Sequence, residues 1–218
     1  MEIMIKYLFR QKLKTILLFA LFYTVGVIGI RIPQTQGLFI FLTPFVLLLS
    51  FIAIMLFHKS LNGSNTRFVF ITIIIVSYLI EVAGVKTHLI FGDYSYGNGL
   101  GIKVMGTPLM IGINWVMLVY CSASVLDLFK VPMVLKIILA SVLMVLYDLV
   151  LEVVAPFLDM WAWAGNSIPL QNYVVWFILA LFFHGLLKWK RVKTENPVAP
   201  ALFVCQFLFF VAILIFVK

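Results

Sequence analysis

The chain has 218 residues, of which 64% are hydrophobic and only 11% are charged, and its formal net charge is +8. This composition describes a polytopic membrane protein and excludes a soluble globular domain. The excess of Lys and Arg is explained by membrane topology, so nucleic acid is not expected as a partner.

Seven apolar segments are long enough to cross a hydrocarbon core about 30 Å thick. They lie near 15–31, 38–57, 68–86, 106–126, 132–155, 173–189 and 199–217. The sequence therefore predicts an all-α bundle of about seven transmembrane helices, in a single domain over residues 1–218. No small-residue cleavage site follows the first segment, which we interpret as an uncleaved helix.

The basic residues predict the orientation of these helices. Twelve of them flank one side: Lys6, Arg10, Lys12, Lys14, Lys59, Arg67, Lys130, Lys136, Lys188, Lys190, Arg191 and Lys193. Four flank the other: Arg31, Lys86, Lys103 and Lys218. Because Lys and Arg concentrate in cytoplasmic loops, we expect a multi-pass plasma-membrane protein with its N-terminus inside and its C-terminus outside.

Acidic residues in or beside the predicted helices are the main functional signal. They are Glu81, Asp93, Asp148 and Glu152. A charged side chain near the bilayer centre costs roughly 3 kcal/mol, so such residues usually face a cavity and mark function. The third and fifth helices run in the same direction, which brings the acids toward the outer side.

The spacing of Asp148 and Glu152 adds a chemical expectation. Residues four positions apart share one helical face, where like charges repel, so at least one carboxyl should keep or share its proton. It could then act as a general acid and, once deprotonated, as a general base. The structural alternative is that Glu81 bonds Ser77 or a neighbouring helix, while Asp148 and Glu152 form a structural proton-sharing pair.

Two loops on the predicted outer side are unusual. The first, 87–105, contains four glycines that permit irregular backbone close to other groups. The second, 156–172, has no basic residue and carries Trp161 and Trp163, which could be interfacial anchors or parts of a site.

No metal or redox cofactor is expected. Cys121 and Cys205 lack CxxC spacing. His58, His88 and His184 fall at different depths of the predicted bundle, so they do not form a ligand set.

Two blocks of the chain resemble a known family. The first is EVAGVKTHLIFGDYSYGNGLGIKVMGTPLMIGINW, from Glu81 to Trp115; the second is YDLVLEVVAPFLDMWAW, from Tyr147 to Trp163, followed by IPLQNYVVWF. Together they resemble the carotenoid biosynthesis protein family that includes carotenoid 1,2-hydratases. The resemblance implies a hydro-lyase that adds water across the terminal double bond of an acyclic carotenoid end, giving a tertiary 1-hydroxyl group without a cofactor.

By position, the resemblance implies two groups of site residues. The catalytic acids would be Glu81, Asp93, Asp148 and Glu152, and the substrate-binding neighbours would be His88, Tyr94, Tyr96, Asn114, Trp161, Trp163 and Asn172. Asp148 or Glu152 would donate the proton, and Glu81 or Asp93 would position water. The expected partners are a lipophilic carotenoid, water and membrane lipids.

The chain departs from the family pattern at two places. His88 stands where a small residue, usually Gly, is expected, and Glu152 with Val153 replaces the more usual Asp-Pro. The first departure could reshape the approach to the site, and the second lengthens a catalytic acid by one methylene.

Other functions remain open. A carotenoid end-group cyclase starts with the same protonation but lets another double bond attack the cation. A transporter or assembly protein is a second alternative, although two matching halves with interrupted helices are not evident. A retinal-binding receptor would need a lysine in the last helix, and 199–217 contains none.

Overall fold

The computed structural model describes residues 2–58 and 63–217, with side chains from residue 11 onward. Within these residues the chain forms seven α helices, which confirms the all-α bundle. They are α1 (Glu2–Arg31), α2 (Pro33–Leu56), α3 (Ser64–Thr87), α4 (Met110–Leu126), α5 (Met133–Val154), α6 (Leu170–Trp189) and α7 (Ala199–Phe216). Lys59, Lys218 and the side chains of Lys6 and Arg10 lie outside the described residues.

Four predicted helix starts differ from the structure by four residues or more. Helix α2 begins at Pro33 instead of near residue 38, and α3 begins at Ser64 instead of near residue 68. α1 begins at Glu2 instead of near residue 15, so the basic N-terminal run is itself helical. α4 begins at Met110 instead of near residue 106, because the preceding residues form a hairpin of β2 (Lys103–Val104) and β3 (Thr107–Pro108).

Helix α4 occupies the centre of the bundle. It packs against α2, α3, α5, α6 and α7, and every residue from Trp115 to Ser124 is buried. Its 17 residues span about 25 Å at 1.5 Å per residue, which is short of a full hydrocarbon core. The other six helices are long and apolar enough to cross a membrane, and five of them pack directly around the shorter one.

The outer surface of the bundle is apolar. Large hydrophobic side chains on several helices are more than half exposed, among them Leu17, Phe41, Ile71, Leu79 and Ile178. Exposed apolar surface on this scale suits lipid rather than water. The protein is therefore a multi-pass membrane protein.

A charged cluster joins three segments at the end of the bundle where α4 finishes. Asp127 accepts hydrogen bonds from Lys136 Nζ at 3.1 Å, from Lys188 Nζ at 3.0 Å and from Thr194 Oγ1. Burial opposes ionisation of Asp127, but the hydrogen bonds from Thr194 and Lys188 outweigh it and hold its pKa below the ordinary value. The ionised carboxylate therefore ties the α4–α5 loop to α6 and the α6–α7 loop.

Asp127→Asn should lower the free energy of unfolding at neutral pH by about 1 to 3 kcal/mol, because it removes hydrogen bonds to a charged, largely buried group. Since the folded pKa lies below the unfolded one, this contribution is present above the unfolded pKa of about 3.9 and disappears as the pH falls through the folded pKa. Thermal unfolding in detergent at neutral and acid pH measures the difference.

The control for this prediction is Asp93→Asn, because the Asp93 side chain is 64% exposed and pairs only with half-exposed His88 among the described contacts. Its effect should stay within about 1 kcal/mol. Equal destabilisation by the two changes, or a loss for Asp127→Asn that persists at acid pH, would contradict the role of the ionised cluster.

Candidate functional site

The two unusual loops pair to form a short antiparallel ribbon. Strand β1 (Tyr94–Tyr96) comes from the glycine-rich loop, and β4 (Trp161–Trp163) comes from the loop after α5. The register pairs Tyr94 with Trp163, Ser95 with Ala162 and Tyr96 with Trp161. Because side chains alternate between faces of a strand, the four aromatic side chains share the face that points into the bundle, while Ser95 and Ala162 are exposed.

Two glycines after β1 allow the backbone there to lie close against the loop that precedes β4. Gly97 N donates to Met160 O at 2.9 Å, and Gly99 N donates to Asp159 O at 2.6 Å. A Cβ at Gly99 would lie 2.2 Å from Leu158 O, so no larger residue fits without a backbone shift. The sequence-based expectation that these glycines permit close backbone approach is therefore met.

Glu81, on α3, is held by three aromatic donors. Tyr94 Oη and Tyr96 Oη donate to its Oε2 at 2.7 and 2.8 Å, and Trp115 Nε1 donates to its Oε1 at 3.1 Å. Glu81 is only 4% exposed. Of the two structural alternatives predicted for Glu81, the bond to a neighbouring helix is observed, through Trp115 of α4. The Ser77 hydroxyl instead donates to Ile74 O.

The hydroxyl groups of Tyr94 and Tyr96 act as hydrogen-bond donors to Glu81 because they stay protonated. Burial and the adjacent Glu81 carboxylate raise the pKa of both Tyr94 and Tyr96 above the ordinary value of a phenol. Both hydroxyls therefore keep their protons and remain donors to Glu81.

Glu152, on α5, receives a matching set of donors. Trp161 Nε1 and Trp163 Nε1 donate to its Oε2 at 2.8 and 2.6 Å, and Asn172 Nδ2 donates to its Oε1 at 3.0 Å. A carboxylate offers about four accepting positions over its two oxygens. In Glu152, as in Glu81, two donors fill Oε2 and one donor reaches Oε1, so one accepting position remains on Oε1.

Asp148 contacts Glu152 through a shared amide. Asn172 Nδ2 also donates to Asp148 Oδ2, at 3.1 Å, so one amide group bridges both carboxyls. Asp148 is fully buried, and its Oδ1 has no hydrogen-bond partner among the described residues. The same is true of Asn114 Oδ1. Asp148 Oδ1 could therefore carry a proton, and either atom could accept a hydrogen bond from a small polar ligand.

A small cavity lies between the two glutamates. It has a volume of about 20 Å³, and both Glu81 and Glu152 line it together with Asn172 and the four ribbon aromatics. We call it the carboxylate cavity. A space of roughly 10 to 15 Å³ is enough for one water molecule, so this cavity has room for one water beside two carboxylates.

A second cavity adjoins the first and has three tryptophans in its wall. Its volume is about 40 Å³, and it shares Ile111, Trp161 and Trp176 with the carboxylate cavity. We call it the inner cavity. Trp115 and Asn114 also line it, and the rings of Trp115 and Trp176 lie 4.4 Å apart between centroids.

Most residues predicted for the site converge, but two do not. The structure brings together nine of them: Glu81, Tyr94, Tyr96, Asn114, Asp148, Glu152, Trp161, Trp163 and Asn172. It places His88 and Asp93 outside, in a pair with His88 Nδ1 2.9 Å from Asp93 Oδ1. Both side chains of this pair are exposed, at 49% and 64%.

Backbone geometry explains the position of His88. It ends α3 in the left-handed region, with φ of 58°, and its N–H donates to Gly84 O at 2.8 Å. Glycine adopts this conformation without strain, in keeping with the small residue that the resemblance implies here. The His88 side chain is half-exposed and contacts Asp93.

Sequence reasoning missed two tryptophans at the site. Trp115 was noted only as the last residue of the first resembling block, although its indole donates to Glu81. Trp176 lies in the second block and lines both cavities. Their positions within the two blocks were the available signal.

The histidines do not gather around the carboxylates. His58 Nδ1 lies 2.8 Å from Tyr120 Oη, and the His184 ring nitrogens contact Ser122 and Ser141. Among the residues that the structure describes, no group of three His, Cys, Asp or Glu side chains could hold a metal ion.

A family model described as carotenoid biosynthesis protein matches residues 42–218. The chain belongs to the carotenoid biosynthesis protein family. Its general role is accordingly in carotenoid biosynthesis. Neither a curated protein nor a solved structure shows a significant match.

The carotenoid biosynthesis family match includes every residue that lines the carboxylate cavity and the inner cavity. It leaves out α1 and the first part of α2. The family assignment therefore applies to the part of the bundle that carries the three buried acids.

Gly99→Ala should disrupt the ribbon, because its Cβ would collide with the backbone carbonyls of Leu158 and Asp159. We expect a loss of about 1 to 3 kcal/mol in the free energy of unfolding, together with a changed near-ultraviolet signal from the ribbon aromatics. Gly37→Ala is the matched control, since nothing lies within 4 Å of its Cβ. An unchanged spectrum and stability for Gly99→Ala would show that the close contact is not required.

Proposed function

We propose that the protein hydrates the terminal 1,2 double bond of an acyclic carotenoid. A carboxyl proton adds to carbon 2, and the alkene electron pair forms the new C–H bond, leaving a tertiary cation at carbon 1. Water attacks this cation, and the proton it loses returns to a carboxylate. The sum is one alkene plus one water giving one tertiary alcohol, so no redox cofactor is required.

The observation that supports this proposal best is the water-sized carboxylate cavity. It has room for one water molecule between Glu81 and Glu152 and adjoins a second, aromatic cavity. An end group in the inner cavity would therefore have an acid and a water on one side and tryptophan rings on the others. This arrangement matches the two reactants that hydration brings together.

Glu152 is the proposed proton donor. Its Oε1 accepts from the same Asn172 amide that donates to Asp148 and keeps one further accepting position, and like charges this close favour sharing a proton. Asp148 does not line the carboxylate cavity itself. It would position Glu152 through the shared Asn172 amide and share a proton with it.

Glu81 is the proposed partner of water. Its Oε2 is occupied by the two tyrosine hydroxyls, which leaves Oε1 to orient a water and to accept its proton. Trp115, Trp161 and Trp176 would stabilise the cation through their ring faces, each by about 0.5 to 2 kcal/mol when desolvated.

Cyclisation of the same end group is the competing reaction. It needs the acid and the aromatic walls but requires that water be kept away from the cation. A cavity that is large enough for one water and lined by two carboxyls, directly beside the inner cavity, favours hydration. Hydration adds the mass of one water to the pigment, and cyclisation adds none.

We also propose that the plasma membrane is the site of action and that the carboxylates lie toward its outer leaflet, on the basis of the Lys and Arg distribution. Labelling of a cysteine placed in the exposed Asp159 loop by an impermeant reagent, in intact cells, tests this orientation. Labelling only after the cells are broken would contradict it.

Glu81→Gln and Glu152→Gln should each lower the rate of hydroxylated product formation from lycopene by about 10² to 10⁴, the usual contribution of a general acid or base. Asp148→Asn should lower this rate by a smaller factor, because Asp148 acts through Asn172. Product mass and amount are measured by liquid chromatography of pigments from membranes that contain equal amounts of folded protein.

Glu195→Gln is the matched control, because this exposed residue lies between α6 and α7 at the other end of the bundle; its rate should change less than about twofold. Asp93→Asn should also have a small effect, since the structure keeps Asp93 outside the cavity. Full activity of the Glu81, Asp148 and Glu152 variants would rule out the mechanism.

A further inference from the structure

A third cavity opens on the lipid-facing side of the bundle. It lies between α1, α2 and α7 and has a volume of about 230 Å³. We call it the side groove. Phe22, Val25 and Leu42 line it and are 39%, 43% and 36% exposed, so these side chains mark its outer edge.

The side groove and the candidate site have lining residues in common. It shares Leu47, Met160, Gln206 and Phe210 with the inner cavity. The inner cavity in turn shares a wall with the carboxylate cavity. The three spaces thus form a series from the lipid-facing surface to Glu81 and Glu152.

A missing side chain on α1 keeps the groove open. Gly26 lines the groove, and a Cβ at this position would lie 3.2 Å from Phe209 Cε2. Phe209 also lines the groove, so a longer side chain at Gly26 would narrow the groove by displacing this ring.

Polar contacts beneath the groove hold its three helices together. Gln206 Nε2 donates to Tyr23 Oη at 2.9 Å, and the Tyr23 and Ser50 hydroxyl oxygens lie 3.1 Å apart. These buried residues come from α7, α1 and α2. Because each helix is tied to another by a hydrogen bond, the groove has a defined width.

Met160 is one of the four residues that line both the groove and the inner cavity. Its side chain is 2% exposed, and its backbone carbonyl accepts a hydrogen bond from Gly97 N at the end of the ribbon. A methionine side chain has three rotatable bonds and adapts to irregular neighbours. It can therefore move to admit a linear end group while the backbone stays in place.

We propose that the side groove binds the polyene chain of the substrate, taken laterally from the bilayer, and directs its end group past Met160 to the carboxylates. This inference rests on the proposed function. A carotenoid is far larger than the inner cavity, so most of the chain must lie elsewhere while its end reacts. The side groove is apolar, faces lipid and shares four lining residues with the inner cavity, which in turn adjoins the cavity of the acids.

The test fills the groove and compares a long substrate with a short one. Gly26→Leu and Thr43→Phe each add bulk inside the groove, and Gly37→Leu adds the same leucine where nothing lies nearby. Lycopene and citronellol carry the same type of terminal alkene, but only lycopene needs the groove. The measurement is kcat/KM for both compounds in proteoliposomes.

In both groove variants kcat/KM should fall by about tenfold or more for lycopene, as expected for overpacking of an occupied site. For citronellol it should fall by less than about twofold. Activity on citronellol also shows that the variant is folded. Gly37→Leu should behave as wild type on both. Equal effects on the two substrates, or unchanged lycopene activity in both groove variants, would overturn the inference.

Pigment retention separates this inference from the proposed function. Protein purified from lycopene-producing cells should retain pigment, and Gly26→Leu should retain several-fold less than Gly37→Leu. If the wild type hydrates neither compound but this difference holds, the proposed reaction fails and the groove assignment stands. If retention is equal, or if the groove holds only phospholipid, the groove assignment fails.

Discussion

Burial of three carboxyl groups in an apolar helical bundle is the constraint on which the rest of the site depends. Glu81, Asp148 and Glu152 are at most 4% exposed, and a buried polar group without a hydrogen-bond partner is strongly unfavourable. The two loops that follow α3 and α5 meet this requirement. They pair as a ribbon whose phenol and indole groups donate to the two glutamates.

The same aromatic residues can serve stability and chemistry together. A tyrosine or tryptophan has a polar tip and an apolar ring, so its tip can hold a carboxylate while its ring lines a cavity. Trp161 does both, since its indole nitrogen donates to Glu152 and its ring borders the inner cavity. Removal of such a residue would therefore disturb folding and reaction at once, and for this reason the decisive variants are changes in the acids.

The helices and the buried acids could be predicted from sequence because hydrophobic length and intramembrane charge are local signals. The ribbon could not, since its strands have three residues each and lie more than sixty residues apart. Trp161 and Trp163 could equally have been interfacial anchors until their partners were known. The resemblance groups Asp93 with the buried acids because it lies within the first block, but in the structure Asp93 is exposed and pairs with His88.

Reaction of lycopene in water labelled with both deuterium and heavy oxygen tests the proposed chemistry most directly. If a buried carboxyl protonates the alkene and a trapped water captures the cation, the product must carry one heavy oxygen at carbon 1 and one non-exchangeable deuterium at carbon 2. Deuterium without oxygen would mean that another double bond captures the cation. Pigment with neither label would contradict acid attack on the alkene altogether.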